Sequence, residues 1–102
     1  MTFVSGPVPE CFEREVAASP AEFERDLRKA WPAGVAAPAQ GRFRIVAGEI
    51  ALDIAVEPLG TRRLGLIELP RLAVRYRFEG GDETARRRLL TVLDRAMQRG
   101  GG

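Results

Sequence analysis

The chain has 102 residues, 45% of them hydrophobic and 29% charged, with a formal net charge of +2. That length supports one two-layer core and not two, and the composition excludes a disordered chain. With no apolar run near the ~18 residues that a spanning helix needs, no membrane partner is expected. There is no histidine and a single cysteine, Cys11. The commonest proton shuttle and metal ligand are therefore missing and no internal disulfide can form, so we expect a non-enzymatic cytoplasmic protein without cofactor or metal.

Charge is uneven along the chain: residues 1–41 carry four basic and six acidic side chains, residues 42–102 twelve and eight. Fifteen of the sixteen basic residues are arginine. Arginine suits forked binding of phosphate or carboxylate, but a genome rich in Arg, Ala and Gly codons produces the same bias.

Residues 1–10, with Gly6, Pro7 and Pro9, are expected to form a loose arm before a single domain over residues 11–99. Residues 11–17 alternate Phe12, Arg14 and Val16 against Cys11, Glu13 and Glu15, the pattern of a short edge strand. Ser19, Pro20 and Glu22 then form a helix start, with a capping hydroxyl, a proline in the first turn and a glutamate reaching back. Phe23, Leu27, Ala30 and Trp31 share one face of that helix, and Pro32 ends it. Residues 32–41 lack periodicity and read as a mobile loop.

Four runs of alternating apolar residues follow between Arg42 and Glu79. Gly48 and Glu49 suit a two-residue hairpin that pairs Ala47 with Ile50, Ile45 with Leu52 and Phe43 with Ile54, and places Arg44 opposite Asp53 on the outer face. A loop at residues 58–61 would pair Glu57 with Arg62, and a tight turn at Pro70 and Arg71 would pair Leu69 with Leu72. This register puts Ile67, Leu69, Leu72, Val74, Tyr76 and Phe78 inside and Gly65 across from Tyr76. A three-residue turn would instead put Leu64 and Leu66 inside, so the third run stays open. Gly80 and Gly81 end the last strand and Asp82 caps a second helix. Ala85, Leu89, Leu90, Val92, Leu93, Ala96 and Met97 form its apolar face, Arg88, Arg95 and Arg99 line the opposite side, and Gly100 is the expected stop, leaving residues 100–102 as a flexible glycine tail.

The expected fold is α+β, a two-layer β-α-β4-α arrangement with both helices on one face of an antiparallel sheet. This order resembles one repeat of the TATA-box-binding protein fold, and a shortened START-like helix-grip fold. The likeness covers residues 11–99 in topology. It implies a sheet face or an apolar pocket under the second helix as binding surface, and no chemistry.

Several side chains invite a chemical role. Cys11 has no histidine to activate it and reads as a small half-buried residue. Asp53, Glu57 and Glu68 fall near one another in this register, a formal cation or acid–base set that salt pairing explains better. Arg88, Arg95 and Arg99 form a candidate anion-binding stripe, explained as well by a solvated helix face. The outer sheet face is the leading candidate. Ala51, Ala55 and Ala73, with Leu64 and Leu66 or with Ile67 and Leu69, make an apolar strip beside Asp53 and rimmed by Arg42, Arg44, Arg75 and Arg77, the composition of an interface. We expect a binding protein that associates with itself through this face. A nucleic-acid module using the sheet or second-helix arginines ranks second among partners, beside a carrier of apolar ligands between sheet and C-terminal helix.

Overall fold

The computed structural model describes residues 7–100, with side chains up to Met97. Its elements are β1 Cys11–Val16, α1 Pro20–Ala30, β2 Ala36–Ala39, β3 Arg42–Ala47, β4 Ile50–Leu64, β5 Ile67–Glu79 and α2 Glu83–Gly100. The strands form one antiparallel sheet in the order β1-β5-β4-β3-β2. Both helices contribute to a single hydrophobic cluster with the inward side chains of the sheet, giving the expected α+β architecture with its β-α-β4-α order.

Local chemistry accounts for the starts and turns. Ser19 Oγ accepts from the Glu22 N–H at 3.2 Å while Glu22 Oε1 accepts from the Ser19 N–H at 2.9 Å, the reciprocal cap that the sequence predicts. Asp82 Oδ1 accepts from the Ala85 N–H at 2.9 Å at the start of α2. The hairpin at Gly48 pairs Ala47 with Ile50, Ile45 with Leu52 and Phe43 with Ile54 as expected. Gly48 has φ +65° and Glu49 keeps a negative φ, so the glycine alone supplies the left-handed step.

The strand after it departs from expectation. Residues 58–61 do not turn: β4 runs on to Leu64 with a bulge between Pro58 and Thr61, and reverses at Gly65 and Leu66 to pair Leu64 with Ile67. Gly65 has φ +63°, so this turn has the same chemistry as the first. Pro70 and Arg71 lie inside β5, Leu72 faces Pro58, and Tyr76 faces Ile54 rather than Gly65. The expected third strand is thus split between the far end of β4, the turn and the start of β5, and the expected fourth is the remainder of β5. The fourth strand of the set comes from residues 32–41, where Ala36–Ala39 pairs with β3 in place of the expected mobile loop.

Of the three prolines inside paired strands Pro38 lies in the edge strand β2, while Pro58 and Pro70 lie in the two central strands, where strand position gives the reason. Val56 N–H donates to Gly41 O, towards β3, so the nitrogen of Pro58 faces the same side beyond the last β3 pairing at Arg42 and Ala55. Phe78 N–H donates to Glu10 O, towards β1, so the nitrogen of Pro70 faces the side that β1 vacates after Val16 and Leu72. Each proline lacks its donor only where no strand is present to accept.

Burial follows alternation. Leu52, Ile54, Leu72, Val74, Tyr76 and Phe78 are buried with Phe23 and Leu27 of α1 and Leu89, Leu90 and Leu93 of α2. Ile67 and Val92, both expected inside, are exposed; with Pro70 and Arg71 inside β5 rather than in a turn, Ile67 and Leu69, the latter also expected inside, keep the alternation of Ala73 and Arg75 and lie on the outer face, away from the helices. Cys11, expected half-buried, is exposed at the sheet edge. The expected loose arm is tied down from Val8, which is buried: its N–H donates to Glu83 Oε2 and its carbonyl accepts from Arg86 Nε, both at 2.8 Å. Residues 1–6 and the tail at 101–102 lie outside the described residues, and α2 continues through Gly100 rather than stopping before it. No helix among the described residues is long and apolar enough to cross a membrane.

Leu93 joins α2 to the sheet. Leu93→Ala should lower unfolding free energy by about 2–5 kcal/mol in denaturant titrations, whereas a loss below about 0.5 kcal/mol would mean that α2 does not pack there. The Val8 N–H holds the Glu83 carboxyl below its ordinary value of 4.5. A carboxylate depressed in the folded state stabilises above its unfolded pKa and loses that contribution as pH falls through the folded one. Glu83→Gln keeps an acceptor oxygen but cannot titrate, so melting temperatures should fall less steeply with acid in this variant than in the parent below about pH 4.5.

Candidate functional site

The outer sheet face, opposite the helices, gathers most of the expected site residues. Strand register sets them in rows. Cys11, Arg77, Asp53 and Arg44 form one row from β1 to β3, and Glu13, Arg75, Ala55 and Arg42 the next. Glu79 and Ala51 lie beyond the first row, and Glu15, Ala73 and Glu57 beyond the second.

Most of these charges satisfy one another. Arg44 Nη1 donates to both Asp53 oxygens at 2.8 Å and its Nη2 to Glu79 at 3.0 Å. Those hydrogen bonds, to Glu79 first and then to Asp53, hold the Arg44 guanidinium protonated beyond its ordinary range. Arg75 Nε donates to Glu13 at 3.1 Å, with Glu57 3.8 Å from its Nη2, and Arg71 lies 3.6 Å from Glu15. Arg42 and Arg77 make no hydrogen bond or ion pair with any described residue. They line a shallow basin of about 600 Å³ with Arg75, Asp53 and Glu13, walled by Pro38 of β2 and Cys11 of β1 and floored by Ala55.

The expected apolar strip divides. Ala51 and Ala73 are buried at 7% and 5%, and of the three alanines only Ala55 lines the basin. The outer face runs on along β5 through Leu69 and Ile67, which keep the alternation of Ala73 and Arg75, to Leu64 and the turn residue Leu66. Leu64 and Leu66 sit at the end of the β4–β5 hairpin with exposures of 51% and 104%. Beyond Leu72 on one side and Ala55 on the other, β4 and β5 continue as a two-stranded ribbon with both edges unpaired. Leu64, Ile67 and Leu69 share one face of it with Arg62, while Arg63 and Glu68 pair on the other at 3.4 Å. Glu68 therefore lies away from Asp53 and Glu57, and the formal three-carboxylate set does not assemble.

The second helix divides its arginines differently from the sequence reading. Arg88 and Arg95 are exposed and have no partner among the described residues, the Arg99 side chain lies outside them, and Arg86 and Arg87 are engaged with Val8 and Glu83. Between sheet and α2, where an apolar ligand would sit, Val74, Tyr76, Phe78, Leu89, Leu90 and Leu93 pack together.

Sequence reasoning missed one polar cluster. Arg14 of β1 donates from both terminal nitrogens to Asp94 of α2 at 2.8 and 3.0 Å, and its guanidinium lies 5.3 Å from the ring centres of both Phe12 and Tyr76. Phe12 and Tyr76 stack with centroids 4.7 Å apart. Burial works against the Arg14 charge, but Asp94 more than offsets it, and burial raises the Tyr76 phenol. The cluster is closed on itself and ties the edge strand to the helix. Arginine and aspartate 80 residues apart carry no local sequence signal.

Asp94→Ala would strand the half-buried guanidinium and should cost about 1–3 kcal/mol by denaturation. The double replacement Arg14→Leu, Asp94→Leu should recover most of that loss. Equal losses in both variants would assign the effect to packing rather than to the uncompensated charge.

No family model matches this chain, and no curated protein matches its sequence.

Proposed function

We propose that this is a non-enzymatic binding protein of TATA-box-binding-protein-like topology that acts in the cytoplasm as a homo-oligomer, with the β4–β5 ribbon as the contact between copies. One observation carries the reading. Of the six exposed large hydrophobic side chains among the described residues, Leu59, Leu64, Leu66 and Ile67 all lie on this ribbon. A two-stranded ribbon alone is marginal in water, and this one adds an apolar end and two free edges. A second copy suits it because antiparallel pairing of the same edge obeys a two-fold axis, each strand filling the donors and acceptors of its twin.

The β-α-β4-α order supports the topological likeness. The self-association expected from the sequence is kept, but its centre moves from Ala55 to the hairpin end. Ion pairs cover the middle of the sheet face, and a glutamate at Ala55 would meet arginines on both sides rather than a like charge. Nucleic acid is the weaker reading. Its sheet arginines are interleaved with Glu13, Glu15, Asp53, Glu57 and Glu79, which cancel the long-range field that a polyanion needs.

Size-exclusion chromatography with light scattering at about 100 μM should show a dimer or larger species, a concentration where even a modest interface is populated. Ile67→Glu should dissociate it while circular dichroism stays unchanged, since the position is far from the core. A monomeric parent protein would overturn the proposal.

A further inference from the structure

Two guanidinium groups without carboxylate partners on one sheet face, beside three that have them, ask what they are for. Arg42 stands opposite Ala55 on one side of β4, and Arg77 stands opposite Asp53 on the other. Their α-carbons are about 10 Å apart across the sheet and about 7 Å along it, so two long side chains can meet over the intervening strand. On β4 the residues between them are Ala55, in the row of Arg42, and Asp53, in the row of Arg77, and the methyl group of Ala55 leaves the space beside Asp53 open. A second depression of about 280 Å³, lined by Gln40, Glu57 and Ala73, adjoins the main basin through Arg42, Ala55 and Arg75, so the hollow continues past the alanine.

Local electrostatics favour a negative occupant. Arg42, Arg75 and Arg77 line the basin against Asp53 and Glu13. Asp53 shares Arg44 with Glu79, at 2.8 and 3.0 Å, and Glu13 shares Arg75 with Glu57, at 3.1 and 3.8 Å, so neither lining carboxylate occupies the N–H groups of Arg42 or Arg77. Forked N–H groups of arginine match the oxygens of phosphate and carboxylate, and two of them on opposite sides can clamp one tetrahedral group. The walls limit what carries that group. Pro38 and Cys11 bound the basin across the sheet, and its volume is that of a small-molecule site. Around it the carboxylates Glu15, Glu57 and Glu79 repel a long polyanion but leave room for a single charged group at the centre.

We infer that the outer-face basin binds a small phosphate monoester, with Arg42 and Arg77 gripping the phosphate above Ala55 and the body of the ligand lying along the hollow towards Pro38. The site does not use the β4–β5 ribbon and is separate from the contact proposed between copies.

Phenyl phosphate is the probe, titrated into ¹⁵N-labelled protein and followed by amide and arginine Nε–H shifts, with inorganic phosphate and a single-stranded oligonucleotide as separate arms. Phenyl phosphate should shift the signals of Arg42, Ala55 and Arg77 saturably and bind more tightly than inorganic phosphate. Arg42→Gln and Arg77→Gln should each weaken it roughly tenfold, since each removes a charge-assisted hydrogen bond, without changing the melting temperature. Arg88→Gln and Ile67→Glu should leave it unchanged, which keeps this result distinguishable from failure of the ribbon contact. No saturable shift up to about 20 mM, a limit corresponding to very weak association, would overturn the inference. So would retention of binding in the Arg42→Gln, Arg77→Gln double variant, or saturable binding of the oligonucleotide alone.

Discussion

The antiparallel ladder between β4 and β5 is the constraint on which the rest of the molecule depends. Its inward rows, Leu52 with Phe78, Ile54 with Tyr76 and Val56 with Val74, supply the centre of the face that both helices cover. Burial of each such side chain stabilises by about 1.5–3 kcal/mol, so a one-residue slip would turn the whole set to water. The same register fixes the outer rows and with them every ion pair and the basin. Gly80 follows β5 directly, where a Cβ would collide with the Glu49 carbonyl oxygen, and so lets the chain leave the ladder and start α2 beside it.

The ladder is longer than its neighbours. β1 covers β5 only from Arg77 to Leu72, and β3 covers β4 only from Ile50 to Ala55. Where three to five strands lie side by side, one face is packed and the other is filled with charges, most of them paired. Where two remain, neither face is covered by a helix, and leucine and isoleucine stand in water. This change in environment along one hairpin distinguishes the two surfaces proposed to bind: a polar hollow over the wide sheet and an apolar end on the ribbon. They lie on different parts of the same scaffold, so a contact between ribbons leaves the hollow open.

Charge pairing separates structural arginines from available ones. Arg14 is fixed by Asp94 between sheet and helix, Arg44 by Asp53 and Glu79, and Arg86 by the Val8 carbonyl. Exposed pairs such as Arg44 with Asp53 contribute little stability on their own, about 0–1 kcal/mol. Their larger effect is to engage Asp53 with Arg44, so that Arg77 across the strand has no carboxylate partner among the described residues.

The sequence by itself determined the elements whose signals are local. Ser19 with Glu22, Asp82, the glycine turn at Gly48 and the alternation of residues 50–56 and 72–78 each specify a cap, a turn or a buried face within a few residues of chain, and the α+β class follows from them. The candidate site was legible in part: Arg42, Asp53, Ala55, Arg75 and Arg77 were placed on one face by alternation alone. What only the tertiary structure decided concerns neighbours. Pro58 and Pro70 are ordinary turn residues in a sequence, and they become strand residues because β3 and β1 end before them and leave no acceptor to lose. Residues 36–39 have no strand pattern and form one because the edge of β3 offers partners. Whether Arg42 and Arg77 find partners depends on which side chains from distant segments arrive beside them, and Ile67 turns away from the helices because β5 runs straight through Pro70 and Arg71. A periodic pattern specifies a face, and only the folded chain specifies what covers it.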